Sequence, residues 1–169
     1  PNGPLAAHIL GFVDIDNRGL AGVEETFNTT LRDIADPLRL TIDMRVQHVL
    51  RNALARAKSE FNALGATGIV LDVRNGEVIA MTSLPDFDPN DGGNARNDQK
   101  FNRATLGVYE LGSTFKIFTS AMALDYGIVT MRDGYDATKP IKISRFTIRD
   151  YHAKQRWLSV PELFIDSSH

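Results

Sequence analysis

Apolar and polar positions along the chain change period several times, and each change predicts a different element. From Asp43, a residue type that caps helices, Val46, Val49, Leu50, Ala53, Leu54, Ala57 and Phe61 recur every three or four positions. That spacing predicts one apolar face of an amphipathic helix. Residues 68–73 and 77–81 are β-prone runs on either side of Arg74-Asn75-Gly76, and an Asn-Gly between such runs predicts a hairpin of two central antiparallel strands. Residues 84–100 hold Pro85, Pro89, Gly92 and Gly93 among Asp and Asn, which predicts a long surface loop.

From Ser113 to Tyr126 the apolar residues Phe115, Ile117, Phe118, Ala121, Met122, Ala123 and Leu124 point in nearly every direction around a helix. The pattern predicts a buried helix, stopped at Gly127 in the glycine position that ends helices. Ile141, Ile143, Phe146 and Ile148 alternate as a strand pair, and Ser159-Val160-Pro161-Glu162 has capping-box spacing for a final helix. Residues 5–34 mix short apolar stretches with Asp14, Asp16, Asn17, Gly19 and Gly22, then a helical turn over residues 23–31, and read as a small connecting module. Asp36-Pro37 marks a break, because the residue before proline is pushed out of the helical region, and a short strand over residues 38–42 is expected next.

Composition narrows this picture. At 169 residues and 43% hydrophobic, the chain suffices for one compact domain, or a small module plus part of a larger one. Net charge is -2 and the 19 basic residues are scattered instead of forming a stripe, so nothing points to nucleic acid. The absence of cysteine excludes disulfides and thiolate metal sites. No apolar run approaches the roughly 20 residues that span a bilayer, and no signal segment opens the chain, so it reads as a soluble piece. Pro1-Asn2-Gly3-Pro4 and Ser167-Ser168-His169 both read as cut ends.

The stretch with most chemistry is Glu110-Leu111-Gly112-Ser113-Thr114-Phe115-Lys116. It sets a hydroxyl and an amine three residues apart at a helix start, on one face. The Ser113 hydroxyl can then bond the Lys116 amine, and its own backbone N–H lies at the positive end of the helix, where it could hold an oxyanion. Serine needs a neighbouring base to act as a nucleophile, and a lysine enclosed by Phe115, Ile117 and Phe118 is expected to be partly neutral through desolvation. In an arbitrary protein S-x-x-K is far more often a capping serine followed by a lysine that reaches solvent. The flanking residues reverse that weighting.

The run over residues 68–81, then residues 83–90, then Asn102-Arg103-Ala104, then Gly112-Ser113-Thr114-Phe115-Lys116, resembles in order and spacing the class B penicillin-binding proteins, in particular their division-specific, septal transpeptidases. Gly19-Leu20-Ala21-Gly22-Val23-Glu24, with Phe27 and Leu31, resembles the segment leading from that family's linker module into its catalytic domain. The resemblance implies an α+β fold of the penicillin-binding protein and serine β-lactamase type, an antiparallel sheet packed with helices. Residues 1–36 would end the linker module, and residues 37–169 would be an incomplete N-terminal part of the transpeptidase domain.

It also implies a reaction: the serine attacks a D-Ala-D-Ala stem peptide, expels D-Ala, and passes the acyl group to an amine of a neighbouring strand, while β-lactams stall at the acyl-enzyme. Of the family's three motifs, S-x-x-K is present as Ser113 and Lys116. Ser167 stands where the serine of S-x-N is expected, as a proton relay, with His169 in place of asparagine. No lysine is followed by Thr-Gly or Ser-Gly, so K-[ST]-G is absent and the 169 residues are expected to turn over poorly or not at all. The implied partners are peptidoglycan stem peptides, β-lactams and septal division proteins; the implied location is the periplasm, on an inner-membrane anchor. No cofactor is implied.

Other constellations are weaker. Residues 86–92 faintly suggest a calcium loop, but Asp91 occupies the turn-glycine position and Asn97 the final carboxylate position, which favours a solvated loop. His8, His48, His152 and His169 lack metal-ligand spacing and read as surface or helix-face residues. Arg103 either holds the loop to the domain or faces solvent, and Tyr151 and Trp157 pack without a site role. Two rival readings remain: a β-lactamase or β-lactam sensor domain, which shares S-x-x-K, and a non-catalytic structural or interaction module.

Overall fold

The computed structural model describes residues 3–33, 37–150 and 153–166. The chain divides into two compact units, residues 1–108 and residues 109–169.

The first unit is built on a helix laid over a hairpin. Short helices α1 (Ala7–Leu10), α2 (Gly22–Thr26) and α3 (Asn28–Asp33) form the N-terminal module, with α1 and α2 joined through a single bridge between Val13 and Gly19. The helical turn expected over residues 23–31 is thus two helices broken at Phe27, whose φ of -107° and ψ of 20° leave the α region. The long helix α4 (Met44–Glu60) begins at Asp43, whose carboxylate accepts the Arg45 N–H at 2.9 Å. It packs on the antiparallel pair β1 (Ala66–Leu71) and β2 (Val78–Leu84), which run in register from Ala66↔Leu84 to Val70↔Ala80 and shift by one residue at Leu71↔Val78. Asp72 O accepts the Gly76 N–H at 2.7 Å, closing the turn that Asn75-Gly76 predicted.

The stripe that α4 buries is rotated from the one its apolar residues suggested. Val49 is 66% exposed and Phe61 74%, whereas Gln47 is 1% exposed and Leu50, Arg51 and Leu54 are half-buried. Leu50 and Leu54 lie so near Gly68 that a Cβ there would come within 3.1 and 3.2 Å of their methyl groups, which is why this strand position carries no side chain. The Gln47 amide joins three segments. Its Nε2 donates to Leu5 O at 2.7 Å, Met81 O at 2.8 Å and Thr82 Oγ1 at 3.1 Å, and its Oε1 accepts the Met81 N–H at 2.9 Å.

Two other expectations need correction here. Residues 38–42 form no strand; they run beside β2 with one side-chain bond, Thr41 Oγ1 to Val78 O at 2.6 Å, and one backbone bond, Asp43 N to Ile79 O at 2.9 Å. Two contacts without an alternating ladder do not make a strand. The segment after β2 is also not a plain surface loop: Phe87 is buried, edge-on to His8 and Phe12 with ring centroids 5.3 and 5.7 Å away. Asp86 receives a two-point contact from Arg51 of α4 at 2.6 and 3.2 Å. A short helix α5 (Asn97–Lys100) follows, and its Gln99 carbonyl lies 2.6 Å from His8 Nε2, so His8 is a half-buried packing residue. Arg103 holds the loop: its N–H donates to Ser83 Oγ at 2.9 Å and its guanidinium to Asp98 O at 2.8 Å.

In the second unit, a 3-10 turn (Gly112–Phe115) leads directly into α6 (Lys116–Asp125). Past Tyr126, Gly127 takes a φ of 65°; its N–H bonds Leu124 O at 3.1 Å and the Ile128 N–H bonds Ala123 O at 3.0 Å. These are the two crossed bonds of a Schellman ending, which a residue with a Cβ forms only under strain. Strand β3 (Gly134–Asp136) pairs antiparallel with β6 (Trp157–Ser159), and β4 (Ile141–Ile143) forms the predicted hairpin with β5 (Phe146–Ile148). Helix α7 (Val160–Ile165) packs on β6 and α6. Trp157 lies in strand β6 over Gly134 and is mostly exposed. Tyr151 and His152 lie outside the described residues.

Helix α6 is not buried on all sides as its composition suggested: none of its residues is buried. An all-round apolar helix is buried only where neighbours cover its whole circumference, and α7 covers one side. Helices and antiparallel pairs together make the fold α+β.

Candidate active site

Ser113 and Lys116 span the junction between the 3-10 turn and α6. The Lys116 N–H bonds Ser113 O, so exactly one turn of 3-10 geometry separates the two residues. In that geometry side chains at i and i+3 eclipse, with a rise of about 2.0 Å per residue. Gly112, with φ of 53°, turns the chain into this short helix, and the Thr114 N–H closes back on Leu111 O at 3.1 Å. Ser113 thus belongs to the first residues of a helical segment, whose amides have no partner within the helix and carry partial positive charge.

Ser113 is exposed, beside an open recess lined by Tyr109, Glu110, Leu111, Gly112 and Phe115. Lys116 is half-buried and borders a separate cavity of about 270 Å³. The side chains expected to enclose this lysine do not: Phe115, Ile117 and Phe118 are 57%, 51% and 59% exposed. At positions -1, +1 and +2 they fan out around the helix, away from the side Lys116 occupies. The apolar surface near Lys116 comes instead from Ala123 about two turns on, from Val129 past the Schellman ending, and from Val160, Leu163 and Phe164 of α7. Tyr135 of β3 completes the wall. The capping box pointed to α7 in the sequence, but nothing local pointed to its contact with α6.

The capping box itself is complete. Ser159 N–H and Oγ–H both donate to Glu162 Oε2, at 2.9 and 2.8 Å, while the Glu162 N–H returns to Ser159 Oγ at 3.4 Å. Arg156 adds an ion pair to Glu162 Oε1 at 2.9 Å. The Ser159 N–H and then the Arg156 guanidinium hold the Glu162 carboxyl down to about 2. Ser167, Ser168 and His169, where the second motif was expected, lie outside the described residues.

Comparisons with known proteins identify the family of the chain. A family model described as penicillin binding protein transpeptidase domain matches residues 66–169. The probable peptidoglycan D,D-transpeptidase FtsI of Caulobacter vibrioides is 46% identical over 173 residues, covering 100% of this chain and 29% of that protein. The peptidoglycan D,D-transpeptidase FtsI of Escherichia coli K12 is 30% identical over 89% of this chain and 30% of its own length. This chain therefore spans about a third of such relatives. Among solved structures, penicillin binding protein 3 of Mycobacterium tuberculosis, in its apo form, superposes with a TM-score of 0.83 at 26% identity, over 94% of this chain and 38% of that one. A peptidoglycan synthetase from Bifidobacterium adolescentis shares the fold at a TM-score of 0.80 and 22% identity, over 99% of this chain and 35% of that one. With a family model matched over more than half its length, the chain belongs to the penicillin-binding protein transpeptidase domain family.

Proposed function

We propose that these residues are part of a septal peptidoglycan D,D-transpeptidase in which Ser113 is the acylated nucleophile and Lys116 its activating partner. The observation that supports the reading is the 3-10 turn at the start of α6, a backbone geometry in which side chains three residues apart, as Ser113 and Lys116 are, share one side of the helix. Ser113 Oγ attacks the carbonyl of the penultimate D-Ala of a stem peptide as its proton passes to the Lys116 amine. The C–N bond breaks, D-Ala leaves carrying a proton, and the acyl group stays on Ser113 Oγ until an amine of a second strand displaces it. The Ser113 N–H, at the positive end of the helical segment, supplies one oxyanion donor. The similarity to D,D-transpeptidases of two bacteria supports this assignment.

Ser167 serves as the proton-relay serine, on the strength of the motif resemblance. Residues 1–36 end a linker module and residues 37–169 begin the transpeptidase domain. A β-lactam takes the donor's place and acylates Ser113. The complete protein works in the periplasm from an inner-membrane anchor, together with septal division proteins. The 169 residues alone have no K-[ST]-G segment and acylate slowly, since one missing oxyanion donor costs roughly a hundredfold to a thousandfold.

Intact-mass spectrometry after incubation with a fluorescent penicillin tests the assignment. The complete transpeptidase should gain one penicilloyl mass that Ser113→Ala lacks and Lys116→Ala acquires far more slowly. An adduct that persists in Ser113→Ala would overturn it.

A further inference from the structure

Helix α7 is six residues long, too short to hold itself together in water, where isolated helices under about 12 residues are marginal. Yet Val160, Leu163 and Phe164 of this helix form one wall of the cavity bordered by Lys116. Beyond its packing on β6 and α6, a set of polar contacts at its ends holds the helix. At the start, the Val160 N–H donates to Asp133 O at 2.8 Å, and Glu162 gathers Ser159 N–H, Ser159 Oγ–H and the Arg156 guanidinium onto its two oxygens. At the far end, Lys154 reaches Asp166 at 3.3 Å. Glu162 has most of these contacts and is not among the residues that line the cavity.

We propose that Glu162 is a positioning residue for acylation: by closing the capping box and pairing with Arg156, it fixes α7 so that Leu163 and Phe164 wall the cavity beside Lys116. The proposal rests on the reading of Ser113 and Lys116 given above. Glu162 touches neither the lysine's cavity nor the serine; it acts through the helix. Loss of its carboxylate leaves the Ser159 N–H without an acceptor and releases the first turn of α7, so the wall loosens while α6 and its 3-10 turn stay formed.

Stopped-flow acylation of the complete transpeptidase by a fluorescent penicillin, run to saturation, separates the binding constant from the acylation rate constant. Glu162→Ala should lower the acylation rate constant about tenfold or more, because a misplacement near 1 Å at a reacting group costs up to a hundredfold. The binding constant should stay within twofold. Glu162→Gln, which keeps an oxygen for the Ser159 N–H, should recover most of the rate, and Ser159→Ala should reproduce the loss. A merely structural role would lower the fraction of protein that labels and leave the rate constant of the remainder unchanged, and that result overturns the proposal. If Glu162→Ala does not fold, Glu162→Asp, one methylene short, takes its place, and an unchanged rate constant there overturns the proposal equally. Lys116→Ala is run alongside: a wild-type rate in that variant would sink the assignment of the lysine itself, whatever Glu162 does.

Discussion

Replacing Gln47 tests whether a polar residue at the centre of the first unit's core holds that unit together. Gln47→Leu keeps the approximate volume and removes four hydrogen bonds, to Leu5 O, Met81 O, Thr82 Oγ1 and the Met81 N–H. Thr82 can rotate its hydroxyl toward another partner and the Met81 carbonyl can turn to water, so the groups left with least recourse are the Met81 N–H, which the Gln47 side chain alone accepts, and the Leu5 carbonyl. Each buried group left unsatisfied costs about 1–3 kcal/mol. Burying a leucine returns about 1.5–3 kcal/mol. With these two groups orphaned at about 2 kcal/mol each and about 2 kcal/mol returned by the leucine, the net loss should be about 2 kcal/mol. Gln47→Glu should cost more near neutral pH, since it turns a carboxylate toward two carbonyl oxygens, and the loss should shrink on acidification. The sign follows from linkage: burial raises the folded-state pKa of the new carboxyl above its unfolded value of about 4.3, so destabilisation grows as pH climbs from there and eases as pH falls. Urea denaturation of the 169-residue chain, with hydrogen exchange at the Met81 amide, measures both. A Gln47→Leu variant within about 0.5 kcal/mol of the parent, with Met81 still protected, would refute the argument.

The remaining expectations are smaller. Arg51→Met should cost about 1–3 kcal/mol in urea unfolding, because Asp86, its side chain 15% exposed, loses both contacts to its partner; an unchanged midpoint would count against the pair. Gly68→Ala should lower the melting temperature by the equivalent of about 1 kcal/mol through the 3.1 and 3.2 Å approaches to Leu50 and Leu54, whereas a rise in melting temperature would show that α4 yields. Burial depresses His8 below its ordinary 6.5, outweighing the Gln99 carbonyl that favours the charged ring, so stability should decline as pH falls below about 6.5 and level off under the folded-state value; an NMR midpoint at or above 6.5 would contradict this. Glu162 should titrate near 2 by carboxyl-carbon NMR, so the stability it adds is complete above about 4.5 and lost as pH falls through 2; a midpoint above 4 would mean that the capping box is open.

The features that sequence predicted well are those written in a few adjacent residues. Asp43 opening α4, Asn75-Gly76 turning the hairpin, Gly127 closing α6 and Ser159 with Glu162 opening α7 each depend on backbone groups within one turn. The 3-10 turn that separates Ser113 from Lys116 is equally local, whereas the weight given to that pair came from the flanking residues 68–104. Gln47 was not, because periodicity sorts polar residues outward and cannot see that Leu5 and Met81 wait at a distance with unpaired backbone groups. Phe87, buried from within a stretch of Asp, Asn and Pro, was hidden by its neighbours' composition. The β3–β6 pair joins three-residue strands about twenty positions apart, too short to show a period. The exposure of α6 depends on what lies around it, which no window along the helix records.

The 3-10 winding between Ser113 and Lys116 has a consequence for how their alignment is stored. Three residues complete about a full revolution at 3.0 residues per turn but only about 300° at 3.6. Rewinding this one turn as α-helix would swing the hydroxyl roughly 60° around the axis from the amine, with neither residue changing its place in the chain. On the proposed reading, the angular offset between the two positions is therefore set by the pitch of a single turn next to Gly112, and a torsional change there alters it while the axis of α6 stays still.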